Sequence, residues 1–162
     1  MPKPYTPNDK WSQRAQADGY RARSAYKLQE LDEKVRLLKP GMAVVDLGAA
    51  PGSWLQFASQ QCKVTSDKNS RVIGIDLQEI EPIEGCDLFQ ADITDESAIE
   101  QIFCSCFDSA QHDTLKNQHD KKCIDLLLSD LAPKTSGIKD VDQWRSIELS
   151  QAVVAIAQRW LK

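Results

Sequence analysis

No run of apolar residues in this chain approaches the roughly 18 needed to cross a bilayer, so no membrane span is expected. Met1 to Asp9 carries no apolar stretch of the kind a secretory signal requires, which makes the cytoplasm the expected compartment. The five cysteines (Cys62, Cys86, Cys104, Cys106 and Cys123) are an odd number without repeated spacing, which argues against a disulfide framework and for reduced thiols. Cys104, Cys106, His112, His119 and Cys123 fall close together but lack the tight ligand pairs of a zinc site, so no metal is expected. Internal repeats and low-complexity tracts are also absent, which excludes solenoids and disordered scaffolds.

What remains, in 162 residues that are 41% apolar and 27% charged, fits one α/β domain with a real core. Its charge is unevenly placed. Residues 1–39 carry a balance of +4 and the rest −8, for a net −4, so a basic arm precedes an acidic body. Within that arm, Trp11 to Lys34 has helical patterning interrupted at Gly19 and Tyr20, and Ala25, Leu28, Leu31 and Val35 mark one apolar face. The turn at Lys39-Pro40-Gly41 closes the arm, and residues 40–162 form the body.

The body alternates strands and helices. Strands are expected at Met42–Leu47, Arg71–Ile75, Asp87–Ala91 and Cys123–Ser129. Helices are expected at Ser53–Gln61, Asp95–Phe107 and Asp142–Trp160, the last with Ile147, Val154, Ala155 and Trp160 available for burial. Residues 108–122 read as a long polar loop. Such alternation implies a parallel sheet covered on both faces.

Three of these strands end in an acid: Asp76, Asp92 and Asp130. In an open α/β sheet, ligands bind beyond the carboxyl ends of the strands, so the three acids converge on one crevice. The first strand runs into Asp46-Leu-Gly48-Ala-Ala-Pro-Gly52-Ser-Trp54, where Gly48 and Gly52 allow close approach of a ligand to the backbone. A dinucleotide site wants G-x-G-x-x-G facing a pyrophosphate. The spacing here is D-x-G-x-x-x-G, and the leading carboxylate would repel that anion, which disfavours a nucleotide-dependent oxidoreductase. Asp46 suits a ligand carrying a positive amino group, as S-adenosyl-L-methionine does. Asp76 would accept from the ribose hydroxyls, Asp92 from the adenine amino group, and Trp54 would lend apolar area beside the ligand or serve the core.

Together with Arg21-Ala-Arg-Ser-Ala-Tyr-Lys-Leu28, Gln90-Ala-Asp92, Ser129-Asp-Leu-Ala-Pro133 and Ser136-Gly137, this turn resembles the FtsJ-like (RrmJ-type) ribose 2′-O-methyltransferases of RNA. The resemblance covers residues 9–161 apart from the loop at 108–122. It implies a Rossmann-like class I methyltransferase fold that binds S-adenosyl-L-methionine at Gly52, Trp54, Asp76, Asp92 and Asp130. It also implies methyl transfer to a ribose 2′-hydroxyl, on a uridine of large-subunit ribosomal RNA. Lys27 and Asp130 match the first two members of the family's Lys-Asp-Lys-Glu tetrad. Arg21, Arg23, Lys27 and Lys134 are the expected RNA phosphate contacts. The chain stops at Lys162, before the strand that carries the second lysine, the family's proton acceptor. The expectation is therefore an N-terminal part of the domain lacking its last strands. Either the chain is an incomplete gene product or a second polypeptide completes the sheet, and the alternative to the methyltransferase is an inactive fragment that binds cofactor and RNA.

Overall fold

In the computed structural model, the described residues are 9–107, 122–131 and 136–162. Ala43-Val-Val-Asp-Leu47, rich in β-branched residues and wholly buried, forms β1. Parallel partners flank it: β2 (Arg71–Asp76) on one side and β4 (Leu126–Ser129) on the other, with β3 (Cys86–Gln90) outside β2. The order is β3-β2-β1-β4, with Val44 level with Val72 and Leu126, and Asp46 level with Gly74 and Leu128. The chain thus winds outward from β1 in one direction and then crosses to its other side. A crevice opens at such a switch, above the carboxyl ends of β1 and β4.

Alternation along the strands divides the core into two layers. Val44, Val72 and Leu128 face Trp54, Leu55, Phe57 and Ala58 of α3 (Ser53–Cys62) and Leu28 of α2 (Ala25–Val35). Val45, Leu47, Ile73 and Ile75 face Phe103 of α4 (Glu96–Phe107) and Ile156 and Trp160 of α5 (Lys139–Trp160). Phe103 meets Trp160 edge to face at 5.1 Å, which locks α4 to the end of α5.

Before these elements, α1 (Lys10–Ala17) starts at Asp9, whose carboxylate accepts from the Ser12 amide. Gly19 and Tyr20 break the arm into two helices, as the sequence implies. The arm is fastened to α3 by an interlocking set of hydrogen bonds. The Arg21 amide donates to Gln56 Oε1, and Gln56 Nε2 donates to the Gly19 carbonyl. Trp54 Nε1 donates to the Ser24 carbonyl, and the hydroxyls of Ser24 and Ser53 lie 2.8 Å apart.

Three expectations are corrected. The fourth strand is shorter than Cys123–Ser129, because Asp125 turns its carboxylate to accept the Ala43 amide and Ile124 pairs separately with Leu161. On α2 only Ala25 and Leu28 are buried, while Leu31 and Val35 are exposed where the helix runs past the sheet. On α5 the core face is Leu149, Ala152, Val153, Ile156 and Trp160; Ile147, Val154 and Ala155 lie on the outer side with Trp144.

Candidate cofactor and RNA site

The β1–α3 turn is shaped by two left-handed glycines. Gly48 (φ 80°) donates its amide to the Ile75 carbonyl, and a Cβ there would come within 2.3 Å of Leu131 Cδ2. Gly52 (φ 102°) precedes α3, and a Cβ there would strike Ile83 Cδ1 at 2.7 Å. Both positions therefore disfavour side chains by conformation, and a Cβ would in addition make Leu131 or Ile83 shift.

Above this turn lies a crevice of about 640 Å3, lined by Gly48, Ala50, Asp76, Asp92 and Asp130 among others. That volume is typical of a small-molecule site. Asp76 Oδ2 accepts from the Ala50 amide and Oδ1 from the Gln78 amide, so its carboxylate ties the glycine turn to the end of β2. Asp92 Oδ1 accepts from both the amide and the hydroxyl of Thr94, which fixes the carboxylate at the crevice wall. Asp130, just beyond β4, receives Lys27 Nζ at 2.5 Å, and the same ammonium lies 5.7 Å from the centre of the Trp54 ring. Lys27 and Asp130, 103 residues apart in the chain, are thus brought together at the crevice mouth. Both side chains are about half exposed, so the pair contributes little to stability and serves to position its two members.

Asp46, near the end of β1, is 2% exposed and is not among the residues that line the crevice. Burial, followed by the charges of Asp76 and Asp130, pushes its carboxyl up to about 7. The thiols behave oppositely to a reactive or metal-binding set: burial pushes Cys62, Cys86 and Cys123 up to about 11, leaving them protonated near neutrality.

Other candidates fall elsewhere. The Trp54 ring is buried in the core with its N–H committed to Ser24, and neither it nor Gly52 lines the crevice. Arg23 pairs with Asp9 on the exposed side of the arm. Lys134, like His112 and His119, lies outside the described residues. Leu77, Gln78, Thr94, Leu131, Arg145 and Glu148 join the crevice without having been singled out in the sequence. For Leu77 and Gln78, the position directly after a strand-terminal acid is a usable signal. For Arg145 and Glu148, only the docking angle of α5 decides.

Arg21 has the least expected placement. Its Nη1 donates to the carbonyls of Pro51 (3.0 Å) and Glu81 (2.7 Å), and Nη2 donates to Pro82 (2.8 Å). The guanidinium therefore clasps the glycine turn to the 77–83 segment, the two walls flanking the crevice. In Arg21→Met, which keeps the apolar stem, we expect roughly tenfold weaker binding of S-adenosylhomocysteine by calorimetry, from loss of about one strong hydrogen bond's worth of ordering. The salt dependence of RNA binding should be unchanged. A phosphate-contacting arginine would instead reduce the salt slope by about one on removal.

A parallel sheet in this order, with a glycine turn and carboxylates at the strand ends, defines a Rossmann-like cofactor-binding domain. Residues 20–162 match the model of the FtsJ-like methyltransferase family, and the chain belongs to that family. It is 45% identical over 155 residues to ribosomal RNA large subunit methyltransferase E of Azoarcus sp. (strain BH72), covering 96% of this chain and 67% of that protein. The protein of the same description from Methanothrix thermoacetophila is 43% identical over 154 residues, covering 95% of this chain and 52% of its own length. A crystal structure described as a ribosomal RNA methyltransferase from Plasmodium falciparum superposes with a TM-score of 0.71 at 30% identity, over 88% of this chain and 73% of that one. The chain spans between about half and two thirds of the length of these curated relatives.

Proposed function

We propose that this chain forms the cofactor-binding half of an S-adenosyl-L-methionine-dependent RNA 2′-O-methyltransferase acting on large-subunit ribosomal RNA, in the cytoplasm. The observation that carries this reading is the convergence of Asp76, Asp92 and Asp130 on one crevice at the β1/β4 switch, with Lys27 drawn across to Asp130. The donor set fits the cofactor. Asp46, on β1 just before the glycine turn, would favour a nearby ammonium group, Asp76 has lone pairs left for a ribose diol, and Asp92 on the crevice wall can accept from an exocyclic amine. When bound, the cofactor supplies a sulfonium-activated methyl group, so the protein's task is chiefly positioning.

Asp130 and Lys27 mark the edge where the acceptor ribose enters: Lys27 presents a cation to the hydroxyl or its phosphate, and Asp130 holds that cation in place. Arg23 and Lys27 of the arm, residues 1–39, supply phosphate contacts together with Lys134 of the body, and residues 40–162 supply the cofactor bed. Among the described residues β4 has a strand neighbour on one side only, and Trp144 on the outer side of α5 is 72% exposed. Further polypeptide, from this or another chain, would extend the sheet there, and light scattering over a concentration series would detect self-association through that surface.

A second reading, cofactor and RNA binding without turnover, is favoured by one observation. Among the described residues, the cation held at Asp130 is Lys27, whose ammonium already serves that carboxylate. Three measurements separate the readings: calorimetry with S-adenosylhomocysteine against NAD, RNA binding, and transfer of labelled methyl from S-adenosyl-L-methionine to large-subunit ribosomal RNA. Binding with methyl transfer supports the enzyme. Binding without transfer leaves the second reading standing. A preference for NAD overturns both.

A further inference from the structure

We propose that Trp11 is a stacking platform for an unpaired base of the RNA substrate, so that the arm takes single-stranded RNA. This rests on the RNA reading above and narrows it to a substrate class. Trp11, in the first turn of α1, is 45% exposed, although it is one of the largest apolar side chains in the molecule. It stands at one end of a row of three rings. Trp11 and Tyr26 meet edge to face at 6.0 Å, and Tyr26 and Tyr20 do the same at 6.0 Å. Tyr26 is fixed by its hydroxyl, which donates to Asp18 Oδ2 at 2.6 Å, so the edge that supports Trp11 is rigid. The residue after Tyr26 is Lys27, which reaches Asp130 at the crevice mouth.

Cations surround the exposed ring. Lys10 Nζ lies 5.6 Å from its centre, and the Arg14 guanidinium lies 5.8 Å from it and 5.0 Å from the centre of Tyr26. Lys10 is solvated and can leave the indole for an adjacent phosphate when a base arrives, and Arg14, held by an exposed i,i+4 pair with Asp18 at 3.5 Å, can exchange that partner for one. An aromatic face flanked by mobile cations is the combination that holds single-stranded nucleic acid: stacking for the bases, charge for the backbone. A continuous duplex hides the faces of its bases, so it would engage Lys10 and Arg14 but not Trp11. The arm's balance of +4 against −8 elsewhere favours an anionic partner on this side of the molecule.

The test measures anisotropy of a fluorescein-labelled single-stranded oligouridylate of about twelve nucleotides, and of an RNA duplex of equal length, against the full chain. In Trp11→Ala the single strand should bind roughly tenfold more weakly and the duplex within about twofold of the parent. The slope of log affinity against log salt should not change, because no charge is removed. Trp11→Phe should recover most of the loss. Arg14→Gln should lower the slope by about one for both RNAs. Thermal melts of the variants, expected to match the parent, guard against unfolding. Equal losses for strand and duplex, an unaffected Trp11→Ala, or no recovery in Trp11→Phe would overturn the platform alone. A parent chain that binds neither RNA would overturn the RNA reading together with it.

Discussion

Asp76→Ala should reduce affinity for S-adenosylhomocysteine by a hundredfold or more in calorimetric titration, the largest single effect expected in the crevice. An ionised carboxylate offers about four lone-pair sites. In the protein, two are taken by the amides of Ala50 and Gln78, which leaves enough for both hydroxyls of a ribose. Charge-assisted hydrogen bonds of this kind contribute about 1.5–3 kcal/mol each, so losing two accounts for a hundredfold. The same truncation frees the Ala50 amide and so unties the glycine turn. Asp76→Asn separates the two contributions: its amide oxygen can still accept from Ala50, so the fold and turn should survive while much of the affinity is lost. If Asp76→Asn binds as tightly as the parent, the ribose does not lie on Asp76.

The second large effect concerns Asp46 and has a defined sign. Its carboxyl is pushed up to about 7, first by burial and then by Asp76 from β2 and Asp130 beyond β4, the latter partly neutralised by Lys27 from α2. An unfolded chain ionises this group near its ordinary value of 3.8, so between there and about pH 7 the folded protein holds a proton that the unfolded one has released. Stability of the ligand-free protein should therefore fall as pH rises through that window and level off above it, by a few kcal/mol in all, on the order of 1.4 per unit. The groups held below their usual range, such as Asp9 and Asp142, change protonation below about pH 4 and so act in a separate window. In Asp46→Asn the decline between pH 5 and 8 should flatten, and the melting temperature at pH 8 should rise. A cofactor ammonium beside Asp46 reverses the preference by favouring the carboxylate. Affinity for S-adenosylhomocysteine should then rise with pH up to about 7 in the parent and lose that dependence in Asp46→Asn. An affinity independent of pH in the parent would place the ammonium elsewhere.

Much of this site is legible in the chain because its logic is local. Asp46, Gly48 and Gly52 belong to one turn whose backbone geometry demands them, and Asp76, Asp92 and Asp130 are each read as the acid that ends a strand. The strands themselves announce their burial through runs such as Ala43–Leu47. What stays hidden depends on distant partners. Arg21 looks like a free cation in a basic arm, yet its partners are carbonyls 30, 60 and 61 residues away. Carbonyls carry no residue identity, so no pattern in the sequence marks them. The helical face of α5 misleads for another reason: apolar residues occupy two sides of it, and periodicity alone does not choose which one meets the sheet. Asp125 shortens β4 by a contact with the Ala43 amide that is only defined once the two strands lie side by side.

The clasp formed by Arg21 has a thermodynamic corollary. One end of the arm ties the glycine turn to the 77–83 segment, while Lys27, a few residues on, pairs with Asp130 at the crevice mouth, where RNA is proposed to arrive. A ligand that stiffens either end lowers the ordering cost for the other, and such coupling is reciprocal by necessity. Whatever factor the methyl donor adds to RNA affinity, RNA must return to the donor.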